Sequence, residues 1–198
     1  MLRRHLLAAA FVLTGAIAAH AQEATRLRAT IDGVNGNSLS LTTREGQKMT
    51  ITLAPNLAVS AIVPVKLEDI KSGSFIGSAA LPQPDGTQRA LEVHVFPESM
   101  RGTGEGYRPF DLQPQSTMTN GTVGSVTGTS GRTLKVTYKG GEQTIVVPPD
   151  CPIVTYESGS RELLTPGAHM IVFGQKAADG TVTAMRIAVG KNGLVPPM

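Results

Sequence analysis

Apolar and polar residues alternate in short runs along most of this chain. Leu39 and Leu41 alternate with Ser38, Ser40 and Thr42, and Met49, Ile51 and Leu53 alternate with Lys48, Thr50 and Thr52. A period of two is the mark of a half-buried strand. Glu45-Gly46 separates these two runs, and Gly140-Gly141 separates a similar pair further on. Both read as hairpin turns. Further strands fit residues 26–34, 75–80 and 89–96. Asp85-Gly86 closes the last hairpin, because glycine tolerates the positive φ that a tight hairpin needs. One helical turn fits Leu67-Glu68-Asp69-Ile70, and another fits Arg161-Glu162-Leu163-Leu164. Residues 57–65 and 151–156 fit an extra strand or an extended crossover.

The pattern occurs twice. Pro55, Glu68, Gly73, Asp85-Gly86-Thr87 and Val95 recur as Pro149, Glu162, Gly167, Asp179-Gly180-Thr181 and Val189, at a constant offset of 94. Upstream, Thr30, Val34 and Gly36 match Thr122, Val126 and Gly128 at an offset of 92. Self-similarity of this kind predicts two supersecondary units of one type. Three strands, a short helical turn and two more strands is the order of an OB-type barrel. The expectation is therefore an all-β protein of two tandem small β-barrels, OB-like, with five to six strands each. Repeat 1 covers residues 22–96, a spacer 97–120, repeat 2 residues 121–190, and a tail 191–198. An SH3-like or six-stranded barrel is the rival architecture. Each copy, at about 70 residues, has a modest core, so the copies are expected to pack on each other or on the spacer.

The N-terminus reads as an export signal. Arg3, Arg4 and His5 precede an apolar run from Leu6 to Ala18, and Ala19-His20-Ala21 gives a small-x-small pattern. That predicts a signal peptide over residues 1–21 and a periplasmic mature protein with no stable membrane insertion. The formal charge of +3 includes Arg3 and Arg4, so the mature chain carries +1. The remaining Lys and Arg are scattered, which is not the footprint of a nucleic-acid binder. Five Phe, three Tyr and no Trp also give few stacking platforms. The single cysteine, Cys151, falls on the apolar slot of Leu57 and reads as a buried thiol. An intermolecular disulfide or a reactive thiol is the alternative.

Candidate chemistry is sparse. His94 and His169 are the histidines beyond residue 21, and by register they match Ala188 and Phe75, so neither is duplicated. His94 lies on the strand face opposite Val93 and Val95. A metal reading uses His94, Met100 and His169, and a copper reading uses His94 with Met100, Met118 or Cys151. The alternative is a surface or half-buried histidine without a ligand role. No G-x-S-x-G occurs, and Ser and Thr fit solvent-facing strand positions, so no catalytic residue and no cofactor are expected. Arg101-Gly102-Thr103-Gly104-Glu105-Gly106 lacks the flanking strand, helix and lysine of a phosphate loop. It reads as a turn-rich connector or as a partner-binding loop. Arg101, Tyr107, Arg108 and Phe110 would be its anchors, since Tyr and Arg are enriched at energetic hot spots.

The stretch from Glu98 to Asp111, with its Gly102-Thr103-Gly104-Glu105-Gly106-Tyr107-Arg108-Pro109 core, is followed by Ser116-Thr117-Met118-Thr119-Asn120. It resembles the centre of a group of uncharacterised exported bacterial proteins with tandem OB-like β repeats. Members of that group are sometimes labelled metal-transporter permeases, and the resemblance implies at most a soluble accessory in metal handling. The group has His where this chain has Tyr107 and Trp where it has Phe110, and no catalytic residue carries over from it. The expectation is a non-catalytic exported binding or interaction protein of the bacterial cell envelope, whose partner is an envelope protein or a small ligand. A soluble periplasmic metal-binding accessory is the alternative, and a purely structural two-barrel protein the second.

Overall fold

Three consecutive antiparallel strands open the fold: β1 (Glu23–Asn35), β2 (Ser38–Thr43) and β3 (Lys48–Pro64). The computed structural model describes residues 23–127 and 132–198; the expected signal over 1–21 lies outside the described residues. Next come β4 (Phe75–Pro82) and β5 (Gln88–Val95), joined by the predicted hairpin, in which Gly86 has a φ of 84°. A short strand β6 (Gly106–Pro109) leads to β7 (Thr117–Thr127), β8 (Thr133–Tyr138) and β9 (Gly141–Val146). The chain ends with β10 (Ile153–Ser158), β11 (His169–Lys176) and β12 (Val182–Gly190). Short 3-10 turns occupy Leu67–Asp69 and Arg161–Leu163, where helical turns were expected. Among the described residues no helix is long and apolar enough to cross a membrane.

The strands are all-β as read, but their partners are not the sequence neighbours of each copy. β3 runs parallel to β12, β12 pairs antiparallel with β11, and β11 pairs antiparallel with β1. Together with the β1–β2–β3 meander this closes a five-stranded barrel, ring one. Likewise β7, β8 and β9 form a meander; β9 runs parallel to β5, β5 pairs with β4, and β4 pairs with β7. This second circuit, ring two, is closed by the short ladder of Gln88 and Arg89 on Ile145 and Val146. Each ring thus joins three strands from one half of the chain to a hairpin from the other.

The exchange is reciprocal. Val59, Ser60 and Ala61 face Ile187, Ala188 and Val189 in one parallel ladder, and Ile153, Val154 and Thr155 face Val93, His94 and Val95 in the other. Every residue of the first ladder has its counterpart 94 positions away in the second. Between the rings β3 and β10 cross antiparallel, with Ile62 opposite Tyr156. Those two residues are also 94 apart, so they mark the local axis about which one ring maps onto the other.

Alternation then sorts side chains into three apolar layers. Ile31, Leu39, Leu41, Ile51 and Ile187 fill ring one. Ile76, Val93, Leu134, Val136 and Ile145 fill ring two. Ile62, Val154, Ile171 and Ala188 form a third layer, with Tyr156 and Phe173 packed against it. The third layer lies where the outer faces of the rings meet. Residues that alternate away from a barrel interior are therefore not all in solvent.

Ring two is contiguous in sequence from β4 to β9, whereas ring one needs both ends of the chain. A fragment spanning residues 66–152 is expected to unfold cooperatively in urea and to give a dispersed amide spectrum. A fragment spanning 23–96, which holds only three strands of one ring and two of the other, is expected to give neither as a monomer. A monomeric, cooperatively folded 23–96 fragment would show that the hairpin exchange is not required.

Candidate functional site

His94 is on β5, where after a bulge Val93 and Val95 enter ring two while Glu92 and His94 face out. Val93 is in the core of ring two. Glu92 and His94 accordingly share the outer face, yet they are 0% and 2% exposed. Sequence alternation gave His94 a surface or half-buried position. It is buried because that face is covered: the His94 ring packs edge-on against Phe96 at 4.5 Å and against Tyr156 of the crossing strand at 5.6 Å.

The ladders carry this face across four strands. Glu92 lies beside Ala79, Ala79 beside Met118, and Met118 beside Arg108. Two residues along, His94 lies beside Gly77, Gly77 beside Asn120, and Asn120 beside Gly106. Residues two apart on a strand point the same way, so Glu92, His94, Met118 and Asn120 form one patch. Gly77 is its floor. A Cβ there would stand 2.7 Å from Asn120 Oδ1 and 2.9 Å from His94 Nε2, closer than real Cβ contacts come. Any side chain at this position would therefore collide with both groups, so the close approach of Asn120 and His94 to the strand requires glycine here.

Hydrogen bonding fixes the orientation of each group. The backbone N–H of Ala79 donates to Glu92 Oε1 at 2.8 Å, and Glu92 Oε2 is 3.2 Å from His94 Nδ1. Glu92 thus sits against the Nδ1 side of the ring, and Nε2 lies on the Gly77 side. Asn120 Nδ2 donates to Thr103 O at 2.9 Å, which leaves Oδ1 as the amide atom turned to the floor. Asn120 is 4% exposed, and its Oδ1 has no partner. The Nε–H of Arg26 is buried and unpaired as well. Unmet polar atoms are rare in native interiors, and such a group calls for an explanation.

These atoms open into a cleft of about 110 Å³ between the two rings. Met100, Met118 and Met198 line it along with His94 and Asn120, and Arg26, Arg108 and Arg186 bring three guanidinium groups. Tyr156 stands at its edge, with burial first and the Glu92 charge second pushing its phenol up to about 12. Met198 Sδ accepts from the Tyr156 hydroxyl at 3.7 Å.

The spacer roofs the cleft. It is built from a 3-10 turn (Glu98–Met100), a run of turns and β6 on β7, rather than being an unstructured linker. Arg101 is held by Glu98 at 2.6 Å and donates to Gly73 O at 2.9 Å, so that anchor is used within the chain. Phe110 is half-buried under Arg26, whose guanidinium carbon is 4.5 Å from the ring centroid. Asp111 binds Arg26 at 2.7 Å and Arg28 at 2.9 Å. Arg108 donates to Gly104 O at 2.7 Å, and burial and the nearby Arg26 charge draw its pKa down. Tyr107 is 40% exposed and points away into solvent.

His169 is elsewhere. Its Nδ1 is 3.0 Å from Thr30 Oγ1, and it lines a separate cavity with Arg44 and Val195. Cys151 packs against the core of ring two, and burial pushes its thiol up to about 12, so it stays protonated. Among the described residues, no three of His, Cys, Asp and Glu come together in a way that could hold a metal ion. The cleft therefore joins His94 with Met100 and Met118, but not with His169 or Cys151. Sequence reading missed Glu92, Asn120, Gly77 and Arg26. The available signal was Glu92 two residues before His94 on a strand, a spacing that puts both on one face.

No family model, curated protein or solved structure matches this chain.

Two outcomes follow from this geometry. Gly77→Ala is expected to lower stability by about 1–3 kcal/mol, as overpacking does, and to move the His94 ring resonances. Urea unfolding and the histidine NMR signals check it. Asp111 has its carboxyl held down to about 2 by Arg28 first and Arg26 after it, against 3.8 in an open chain. Its contribution to stability is present above about pH 4 and is lost as the pH falls toward 2. Asp111→Asn is expected to flatten that part of the acid dependence of thermal melting while leaving the neutral-pH profile parallel to the parent.

Proposed function

We propose that this chain is an exported, non-catalytic binding protein of the bacterial cell envelope that takes a small ligand into the cleft beneath the spacer. The observation that carries this reading is that two of the four unpartnered buried side-chain atoms among the described residues belong to residues lining one cleft. Asn120 Oδ1 lacks a donor and Arg26 Nε–H lacks an acceptor, and both belong to residues that line the cleft. Leaving such groups unpaired costs about 1–3 kcal/mol each, which a bound molecule would recover.

The two circuits read as a pair of OB-type barrels from an internal repeat. A three-strand meander followed by a hairpin whose second strand runs parallel to the third is the OB order. Here the hairpin comes from the other copy. The concave space between the rings, rather than either barrel interior, is the one open to a ligand, since both interiors are filled by apolar side chains.

The spacer has two roles in this reading. Arg101, Phe110 and Asp111 tie it down across both rings. Met100, Thr103 and Arg108 contribute to the cleft it covers. Tyr107, exposed on the edge strand β6, is left as the anchor for an envelope protein. A purely structural role is favoured only by the internal bonds of Arg101 and Phe110, and it offers no account of the unmet groups under the strap.

The reading is tested by amide NMR of the purified protein, titrated with the low-molecular-weight fraction of a chelator-treated envelope extract. Shifts confined to Gly77, His94, Met100, Arg108 and Asn120 are expected. A spectrum that stays unchanged, or shifts only around Tyr107, would remove the cleft as a small-molecule site.

A further inference from the structure

We infer that the cleft takes a small organic carboxylate with an apolar body. Its carboxylate is held by the guanidinium groups of Arg108 and Arg186, and its body lies against the thioethers and rings beside them. This inference rests on the reading of the cleft as a binding site and names the class of ligand.

Charge is the starting point. Arg26, Arg108 and Arg186 line the cleft, and no Asp or Glu does. Asp111 and Glu92, the acidic side chains bonded to lining residues, are already engaged. Asp111 is shared between Arg26 and Arg28, at 2.7 and 2.9 Å. Glu92 accepts from the Ala79 N–H and lies 3.2 Å from His94 Nδ1. Neither serves Arg108 or Arg186. Like charges gathered in a partly enclosed space repel more strongly than in open water. The effect is visible at Arg108, where burial first and the Arg26 charge second draw the pKa down. A negative charge among the three groups reverses that repulsion.

The donors left over set the form of the anion. Arg108 Nη1 donates to Gly104 O at 2.7 Å, a neutral acceptor that leaves the charge unpaired. Arg186 makes no ion pair among the described residues, and its guanidinium carbon lies over the Phe173 ring at 4.1 Å from the centroid. Stacking uses the face of a guanidinium and leaves its N–H edge free. Arg26 adds a buried Nε–H without an acceptor. The N–H edge of a guanidinium matches the two oxygens of a carboxylate in a pair of parallel hydrogen bonds.

The rest of the lining sets the body. Phe96, Met100, Phe110, Met118 and Met198 offer ring and thioether surface. A bare phosphate or sulfate would press unbonded oxygens against that surface, and polar atoms buried without partners are costly. A carboxylate with a short aliphatic or aromatic body puts its oxygens on the guanidinium groups and its carbons on Met and Phe. Methionine adapts to the shape of what it touches. The cleft volume of about 110 Å³ restricts the body to a small one.

The test is calorimetry and amide NMR of the purified protein at fixed ionic strength. The probes are sodium benzoate and sodium hexanoate, with benzamide and sodium phosphate as comparators. One carboxylate per chain is expected, with shifts at Met100, Arg108, Met118 and Arg186. Binding should weaken at least tenfold in Arg108→Gln and in Arg186→Gln, and less in Arg186→Lys, which keeps the charge but not the fork. Lys48→Gln, on an exposed strand residue outside the cleft, should bind as the parent does. Benzamide, the same ring without the charge, should bind at least tenfold more weakly than benzoate. That comparison uses the parent protein, so it keeps the test valid if a variant fails to fold. Unchanged affinity in both Gln variants, equal binding of benzamide and benzoate, phosphate binding as tight as benzoate, or shifts away from the cleft would overturn the inference. If neither carboxylate binds while the envelope extract still shifts the cleft amides, the binding reading stands and only the carboxylate falls. If the extract also leaves them unchanged, the cleft is no binding site.

Discussion

The parallel ladder between the third strand of one half and the last strand of the other is the constraint on which the molecule depends. Ring one exists only because β12 lies along β3, and ring two only because β5 lies along β9. Hairpins can form locally, but a parallel neighbour has to arrive by a long connection. From β3 to β12 the connection runs through ring two, and from β5 to β9 it runs through β6, β7 and β8. The two rings are thus held together by shared backbone as well as by contact, and the crossing of β3 and β10 fixes the faces they turn to each other.

That geometry makes the cleft. The outer face of β5, β4 and β7 would be solvent-facing in a lone barrel, and polar residues there would need no explanation. Placed against the second ring, the same residues become an enclosed layer. At an offset of 94 positions the two halves differ at this layer. Glu92 corresponds to Arg186, His94 to Ala188, and Gly77 to Ile171, each 94 positions apart. One side carries hydrogen-bonding groups around a gap, and the other carries apolar surface and a guanidinium stacked on Phe173. Two faces in corresponding places of the fold thus hold one polar site.

Much of the fold was legible in the sequence, because a strand advertises itself by its own alternation. Leu39 and Leu41, or Met49 and Ile51, point to the interior whichever strand lies beside them. The helical turns at Leu67 and Arg161 and the Asp85-Gly86 hairpin were equally local. Alternation does not say which copy supplies the neighbour, since two copies of one pattern offer chemically equivalent edges. The exchange of hairpins was invisible for that reason. The same gap hid the site. His94 could be placed opposite Val93, but whether that face meets water or a second layer depends on the partner ring. Asn120 read as the end of a spacer, whereas in the fold it is a buried position in β7 facing Gly77. Phe110 and Arg101 were legible as anchors, though the surfaces they hold belong to their own chain.

The nesting of one ring inside the other also sets an order of events as the chain folds. Every strand of ring two is present once residue 146 has been made. Ring one pairs β1 with β11 across some 140 residues, and it lacks two of its five strands until the chain is almost complete. Contacts so distant in sequence are slow to form, since the ends of a long loop must first be brought together. Ring two can therefore assemble while β1 to β3 remain an open sheet with two unpaired edges. During that interval those edges are the part of the molecule most exposed to wrong partners. The last hairpin to appear, β11 and β12, ends the exposure, seals ring one and packs Ile171 and Ala188 against the layer of Ile62 and Tyr156.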